Sequence, residues 1–219
     1  MKEDLRKRNL GERFRDMKQQ FLKYRVMILI SLFLFALANI ITYLASMHVD
    51  TIKTVAVPDL ILDNIPTLNL NFIFVYGFYA MVILIIFYSL FFHMKDVHKI
   101  ILQFSLLMII RSFFMVLTHL SVPLDAEIVT GVPAFLKGFY FVNDLFFSGH
   151  TAVPFLAFLL FRREKIGAWF LGISIVMAIT VLFMHVHYSI DVFAAFFITY
   201  GSYKLGTRIC RQCEKLPSF

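Results

Sequence analysis

The chain has 219 residues, of which 60% are hydrophobic and only 16% are charged, and its mean hydropathy is +0.79. Soluble domains are about half apolar and a quarter charged, so this composition excludes an ordinary soluble globular protein. Several apolar runs approach or exceed the roughly 20 residues that a helix needs to cross a bilayer. We therefore predict one polytopic membrane domain with no separate soluble domain.

The N-terminal segment, residues 1–25, is polar and basic. Its apolar residues Leu10, Phe14, Met17 and Phe21 recur at helical spacing, which predicts an amphipathic helix on the membrane surface. A disordered basic tail is the alternative for this segment. Because it is so highly charged, we expect no secretory signal peptide.

Six hydrophobic segments follow, and together they predict an all-α protein with six transmembrane helices. The domain that contains them spans residues 26–205, and a basic tail covers 206–219. An even number of crossings puts both termini on one side of the membrane. The segments lie at about 26–46, 70–92, 100–118, within 141–161, 166–184 and 187–203.

The positions of the basic residues indicate which side that is. Eighteen of the 21 Lys and Arg residues lie in residues 1–25, in the loops at 93–99 and 162–165, and in the residues after Tyr203. The opposite loops carry only Lys53 and Lys137, and Arg111 lies within the third segment. By the positive-inside rule both termini are cytoplasmic, and the loops at 47–69, 119–140 and 185–187 face outward. The net charge of +7 is then explained by topology and anionic lipid, without a nucleic-acid partner.

Polar groups inside membrane segments are costly, so each suggests a function. Residues 143–151 read N-D-L-F-F-S-G-H-T and open the fourth segment. A helix that starts near Ser148 and Gly149 would direct free backbone N–H groups outward, where they could bind a phosphate beside His150.

A second polar cluster, residues 185–191, reads H-V-H-Y-S-I-D and opens the sixth segment. His187 and Asp191 are four residues apart and so share one helix face. The carboxylate can hold one ring nitrogen protonated and leave the other free as a nucleophile. Both clusters lie at outward helix ends, so His150 and His187 are predicted to meet across one site.

Other readings of these residues remain open. A lone membrane histidine is often a packing or interfacial group, and a His–Asp pair can be a structural ion pair or half of a metal site. His185 is two positions from His187 and would point elsewhere on a helix, so it is interpreted as lying outside the pair. Four further histidines at segment ends are interpreted as interfacial: His48, His93, His98 and His119. The single C-x-x-C, Cys210 and Cys213, predicts neither a closed zinc site nor a disulfide framework.

The two clusters resemble the type 2 phosphatidic acid phosphatase (PAP2) superfamily, and more narrowly its sphingomyelin synthase and ceramide phosphoethanolamine synthase branch. Pro58, Asp59 and Asp63 are similar to the P-D-x-x-x-D loop of that branch. Residues 111–123 resemble its R-x-x-x-M-x-x-T-x-L-P-V-P pattern, 143–151 its G-D-x-x-x-S-G-H-T and 185–192 its H-x-H-Y-T-[IV]-D-V. The resemblance covers residues 58–200, and the departures from it are Phe114, Ser121 and Asn143. We expect no sterile-alpha-motif domain, which some members carry.

The resemblance implies a catalytic triad of His150, His187 and Asp191 that forms a phosphohistidine. The implied reaction moves phosphocholine or phosphoethanolamine from a glycerophospholipid donor to ceramide or to water, and diacylglycerol is the departing product. No cofactor and no metal ion are expected. The implied location is a membrane with the active site on its non-cytoplasmic side, either a bacterial inner membrane or the Golgi, endoplasmic reticulum or plasma membrane. The residues predicted to bind substrate are Arg111, Asp144, Ser148, Gly149, Tyr188 and Asp59.

Two alternative functions are kept. The first alternative is a lipid phosphate phosphatase, which binds a dianionic monoester and needs several fixed cations. The phosphatase motif K-x6-R-P does not occur in this sequence, and Arg111 is the only cation within a predicted span. A zwitterionic donor would instead prefer carboxylates and aromatic faces for its head group. The outward loops supply them: Asp59, Asp63, Asp125, Glu127, Asp144, Tyr140 and Tyr188. The second alternative is a lipid scramblase or an inactive scaffold.

Overall fold

The computed structural model describes residues 10–118, 120–132 and 145–213. Within these residues the chain forms six α-helices, preceded or linked by a π-helical turn at Phe72–Gly77 and 3-10 turns at Leu62–Asn64 and Met94–Asp96. The β-structure in this part is one isolated parallel bridge between Val55 and Leu120. The all-α prediction is therefore confirmed. The helices are α1 (Leu10–Asp50), α2 (Phe78–Phe92), α3 (Val97–Leu117), α4 (Gly149–Phe161), α5 (Lys165–Phe183) and α6 (Ser189–Cys213).

Helix length and hydropathy are consistent with a polytopic membrane protein. In the described ranges, four helical stretches are long and apolar enough to cross a bilayer: Phe14–Asp50, Phe72–Phe92, Met94–Leu117 and Lys165–Phe183. Helix α4 has only 13 residues, about 20 Å at 1.5 Å per residue. Helix α6 carries Asp191 in its first turn and is less apolar than the others. Six crossings therefore remain a prediction.

The N-terminal basic segment and the first hydrophobic segment form one helix, with no break at residue 25. No Gly or Pro occurs between Gly11 and Asp50, so nothing in the sequence interrupts the helix. The predicted apolar stripe is partly covered by protein, because Met17 packs with Met94 and Val97 at the turn between α2 and α3. Phe14 lies edge-on to Phe91, with ring centroids 6.1 Å apart.

Helix α6 runs ten residues beyond its predicted end at 203, into the segment predicted as a tail. Its extension is supported by α3, where Gln103 Nε2 donates to the Tyr203 carbonyl and to the Thr207 hydroxyl, both at 3.3 Å. Gly206 allows this approach, since a Cβ there would lie 2.5 Å from Gln103 Oε1. The observed ends of α3 and α5 lie within three residues of their predicted positions.

The helices pack so that the starts of α4 and α6 lie side by side. Helix α1 runs along α3, while α4 contacts both α5 and α6, and α3 also contacts α6. A buried cluster joins α3, α4 and α6. It contains Leu107 of α3, Phe147 just before α4, Leu156 of α4 and Ala195 of α6.

The loops predicted to face outward meet at one end of this bundle. The Leu68 N–H donates to the Phe183 carbonyl (2.7 Å), and the Glu127 N–H donates to the Met184 carbonyl (2.9 Å). The Ser121 N–H donates to the Val55 carbonyl at 3.2 Å. The first two outward loops therefore contact each other and the end of α5, next to the turn from which α6 begins.

Candidate active site

His187 and Asp191 form a buried pair at the start of α6. His187 Nδ1 lies 3.4 Å from Asp191 Oδ2, and the two side chains are 8% and 0% exposed. The same carboxylate oxygen accepts the Tyr188 backbone N–H at 3.0 Å, which fixes the carboxylate in the turn. Nδ1 of the imidazole therefore faces the acid at ion-pair distance.

The start of α4 is joined to this pair through the backbone. The Ser148 N–H donates to the Asp191 carbonyl oxygen at 3.2 Å. Ser148 occupies the N-cap position of α4 and is buried, and its hydroxyl accepts from Thr151 Oγ1 rather than from a backbone group. The helix begins at Gly149, so the predicted helix start near Ser148 is confirmed.

Arg111 brings a positive charge to this helix start. Its Nε donates to the Phe147 carbonyl at 2.8 Å, and a Cβ built on Gly149 would lie 3.6 Å from the same nitrogen. A guanidinium beside the N-terminal end of a helix adds its charge to the positive end of the helix dipole. The structure thus brings together Arg111, Ser148 and Gly149, three of the residues predicted to bind substrate.

His150 lies in the first turn of α4 between aromatic residues that the motif analysis did not single out. Its ring centroid is 3.9 Å from that of Phe74 and 4.3 Å from that of Phe78. His150 lies two residues beyond Ser148, whose N–H donates to the Asp191 carbonyl, so the helix start that carries His150 adjoins the helix start that carries Asp191. An aromatic pair in a segment rich in Phe carries no signal that would have identified it beforehand.

The carboxylate of Asp59, which was predicted to bind substrate, accepts hydrogen bonds from backbone N–H groups. It accepts the N–H groups of Ser189 at 2.7 Å, Ile61 at 2.9 Å and Leu62 at 3.2 Å. Burial raises the pKa of the Asp59 carboxyl, but the hydrogen bonds from these three backbone groups outweigh it, so the pKa lies below its ordinary value of 3.8. Asp59 thus stays ionised at neutral pH and holds the outer loop against the first residue of α6.

Tyr188, also predicted to bind substrate, braces two loops. Its ring is 1% exposed, and its hydroxyl accepts the Val57 N–H at 3.1 Å and donates to the Ser121 carbonyl at 3.0 Å. Each of these bonds ties an outer loop to the turn that carries His187. The remaining predicted binding residue, Asp144, lies outside the described residues, as do Tyr140, Asn143 and His119.

A pocket of 710 Å³ opens between the outer loops beside Tyr188. Its lining contains three carboxylates, those of Asp59, Asp63 and Asp125, and none of the described residues that line it is Lys or Arg. His185 also lines it, with Nδ1 3.3 Å from Thr67 Oγ1, so this histidine points away from the pair formed by its neighbour at 187. The pocket therefore presents negative charge next to the histidine site.

Comparison with known proteins agrees with this architecture and site. Residues 142–207 match the family described as PAP2 superfamily C-terminal, a range that includes α4, α5 and most of α6. The matched range contains His150, His187 and Asp191, and it confirms the resemblance to that superfamily.

A relative then narrows the resemblance to one branch. Over 178 residues, 68% of this chain, the sequence is 31% identical to sphingomyelin synthase-related 1 of Caenorhabditis elegans. The chain spans 37% of the length of that protein. The chain is therefore similar to the sphingomyelin synthase branch of the PAP2 superfamily, as its motifs predicted.

Proposed function

We propose that this protein is a lipid phosphotransferase. In this proposal it moves phosphocholine or phosphoethanolamine from a glycerophospholipid to ceramide, or to water, through a phosphohistidine. The observation that carries the proposal is the hydrogen bond from the Ser148 N–H to the Asp191 carbonyl. It holds the start of α4, with His150 and the neighbouring Arg111, against the start of α6, with the buried His187–Asp191 pair. Such an arrangement supplies a nucleophile, its orienting acid, a second acid–base group and a cation.

In the first step Nε2 of His187 attacks the phosphorus of the donor. The bond between phosphorus and the diacylglycerol oxygen breaks, and His150 gives its proton to that departing oxygen. Asp191 holds the Nδ1 proton and stabilises the positive charge that develops on the ring of His187. The products are diacylglycerol and a head group bound through phosphorus to His187.

The second step reverses these roles with a new acceptor. His150, now neutral, takes the proton from the primary hydroxyl of ceramide or from water. The acceptor oxygen attacks the phosphorus and the bond to Nε2 breaks, which restores His187 and leaves His150 protonated again. In both steps the guanidinium of Arg111 and the first amides of α4 face the phosphate oxygens, where charge develops.

The proposal is tested by following every lipid product from labelled phosphatidylcholine and labelled phosphatidylethanolamine, with and without ceramide. We expect diacylglycerol in all reactions that contain an accepted donor, because water and ceramide compete for the phosphohistidine. With ceramide present, part of the labelled head group should appear on ceramide. Absence of head-group release from both donors, in protein that is folded and monodisperse, would contradict the proposal.

The topology is part of the same proposal: six crossings, cytoplasmic termini and an outward active site. It is supported by the distribution of basic residues and by the meeting of the outward loops at one end of the bundle. Single cysteines can be placed as L124C in an exposed outer loop and as R163C in the exposed turn between α4 and α5, after replacement of Cys210 and Cys213 by Ser. In intact cells or sealed vesicles of the native orientation, we expect an impermeant thiol reagent to label L124C and not R163C. The opposite labelling would place the active site on the cytoplasmic face.

A further inference from the structure

Two phenylalanines, Phe74 and Phe78, form an aromatic clamp on His150. The ring of Phe74 is stacked on the imidazole with an interplanar angle of 20°, and that of Phe78 is tilted by 42°. The centroid distances of 3.9 Å and 4.3 Å leave no room for another group between the rings and the imidazole. The orientation of the imidazole is therefore restricted by two planar surfaces.

The clamp is formed where the chain enters α2 through the π-helical turn at Phe72–Gly77. Phe74 lies within this turn and Phe78 is the first residue of α2. Single π-helical turns are rare and occur frequently at functional sites. The turn also lies close to α5, since a Cβ on Gly77 would be 3.1 Å from Met177 Cε.

Each ring of the clamp is held by a different part of the core. Phe74 is 6% exposed and packs in a cluster with Val181, Met184 and Val192, which come from the end of α5 and the start of α6. Phe78 packs against the cluster that contains Met81, Ile85 and Phe170 of α2 and α5. The cluster around Phe74 thus links the clamp to the same helix start that carries the His187–Asp191 pair.

The two histidines are oriented by different means. A carboxylate faces Nδ1 of His187, whereas His150 is contacted by the faces of two aromatic rings and by the backbone of Phe74. A group that serves first as acid and then as base must reach two substrate oxygens in turn, and a misplacement of about 1 Å can cost on the order of 100-fold in rate. Aromatic faces restrict rotation of the imidazole and leave its ring edge accessible for proton exchange.

We propose that Phe74 and Phe78 are positioning residues that hold the imidazole of His150 for proton transfer to and from the substrate oxygens. The inference rests on the proposed acid–base role of His150. Phe74→Leu and Phe78→Leu keep an apolar side chain but remove the planar surface. We expect each to lower kcat by about 10- to 100-fold and to change the KM for the phospholipid donor by less than about twofold.

A phenylalanine that does not contact His150 provides a matched control. Phe155→Leu matches the half-buried Phe78, since Phe155 contacts Phe158 and Phe196 instead. We expect kcat of this control to stay within about threefold of the parent protein. Phe78→Tyr, which restores the ring, should recover most of the loss seen in Phe78→Leu.

A second measurement is independent of catalysis: the rate at which diethyl pyrocarbonate modifies His150, followed by mass spectrometry of the peptide. Release of the ring should make this rate several-fold higher in the two clamp variants than in the parent and control proteins. Faster modification in the two clamp variants, together with a parent protein that turns over no phospholipid, would support the clamp and contradict the proposed function. Unchanged modification in both variants, or an equal loss of kcat in the control, would overturn the clamp. If a Leu variant does not fold, the Met variant at that position is measured instead.

Discussion

Replacing His187 by Ala is expected to lower lipid turnover by at least about 10⁴-fold, while folding and membrane insertion are kept. The reason is that this ring is the nucleophile of the proposed reaction, and loss of a nucleophile typically costs several orders of magnitude in rate. The side chain is 8% exposed, and among the described residues its ion-pair partner is Asp191 at 3.4 Å. Turnover is measured on purified protein with the labelled donor, and folding by thermal denaturation.

His150→Ala and Asp191→Ala are expected to abolish turnover as well, since the acid–base group and the orienting acid act as a unit with the nucleophile. The matched control is His185→Asn, two residues away and also buried, whose ring contacts Thr67 instead of the acid. Asn is chosen because residue 185 has a φ of 52°, which Asn tolerates. This control should keep kcat within about tenfold. Turnover of the His187→Ala protein at the parent rate would refute the proposed mechanism.

Phosphatidylcholine or phosphatidylethanolamine is expected to be cleaved with a kcat/KM at least about tenfold higher than phosphatidic acid. A phosphodiester carries one negative charge, which the guanidinium of Arg111 and the first amides of α4 can balance. A phosphomonoester dianion would bring a second charge into a site of low dielectric, where unbalanced charge is most costly. The acidic pocket next to Tyr188 acts in the same direction, because it attracts a cationic head group and repels added negative charge.

The comparison is made in mixed micelles of one composition, with head-group release from the diesters and phosphate release from phosphatidic acid measured in parallel. Short-chain analogues with identical acyl chains serve as controls for differences in lipid packing. Faster release of phosphate from phosphatidic acid than of head group from either diester would place the protein with the lipid phosphatases instead. The two outcomes require opposite orders of rate, so one measurement separates the two functions.

Local patterns were sufficient to predict the helices and the central pair of the site. Hydrophobic run length is a property of consecutive residues, and it located α3, α5 and the helical stretch Phe72–Phe92, which includes α2, to within a few residues. The i, i+4 spacing of His187 and Asp191 predicted that the two side chains are neighbours, and they lie 3.4 Å apart, although His187 stands in the bend before α6 and not on the helix. The ends of α1 and α6 differ from the predicted segments: α1 continues through residue 25 with no Gly or Pro to interrupt it, and α6 continues past its apolar run along Gln103 of α3.

The sequence by itself therefore determined the class of protein, an all-helical chain with membrane-length apolar helices, and the residues of the proposed triad. Only the tertiary structure decided how that triad is held. The Asp59 carboxylate accepts the backbone N–H of Ser189, 130 residues away, and the Tyr188 hydroxyl accepts that of Val57, 131 residues away, so both hold the turn that carries His187. The clamp on His150 likewise comes from a separate apolar segment, more than 70 residues earlier. Helix periodicity links residues three or four apart, whereas contacts between distant segments depend on how whole helices pack, which no local pattern records.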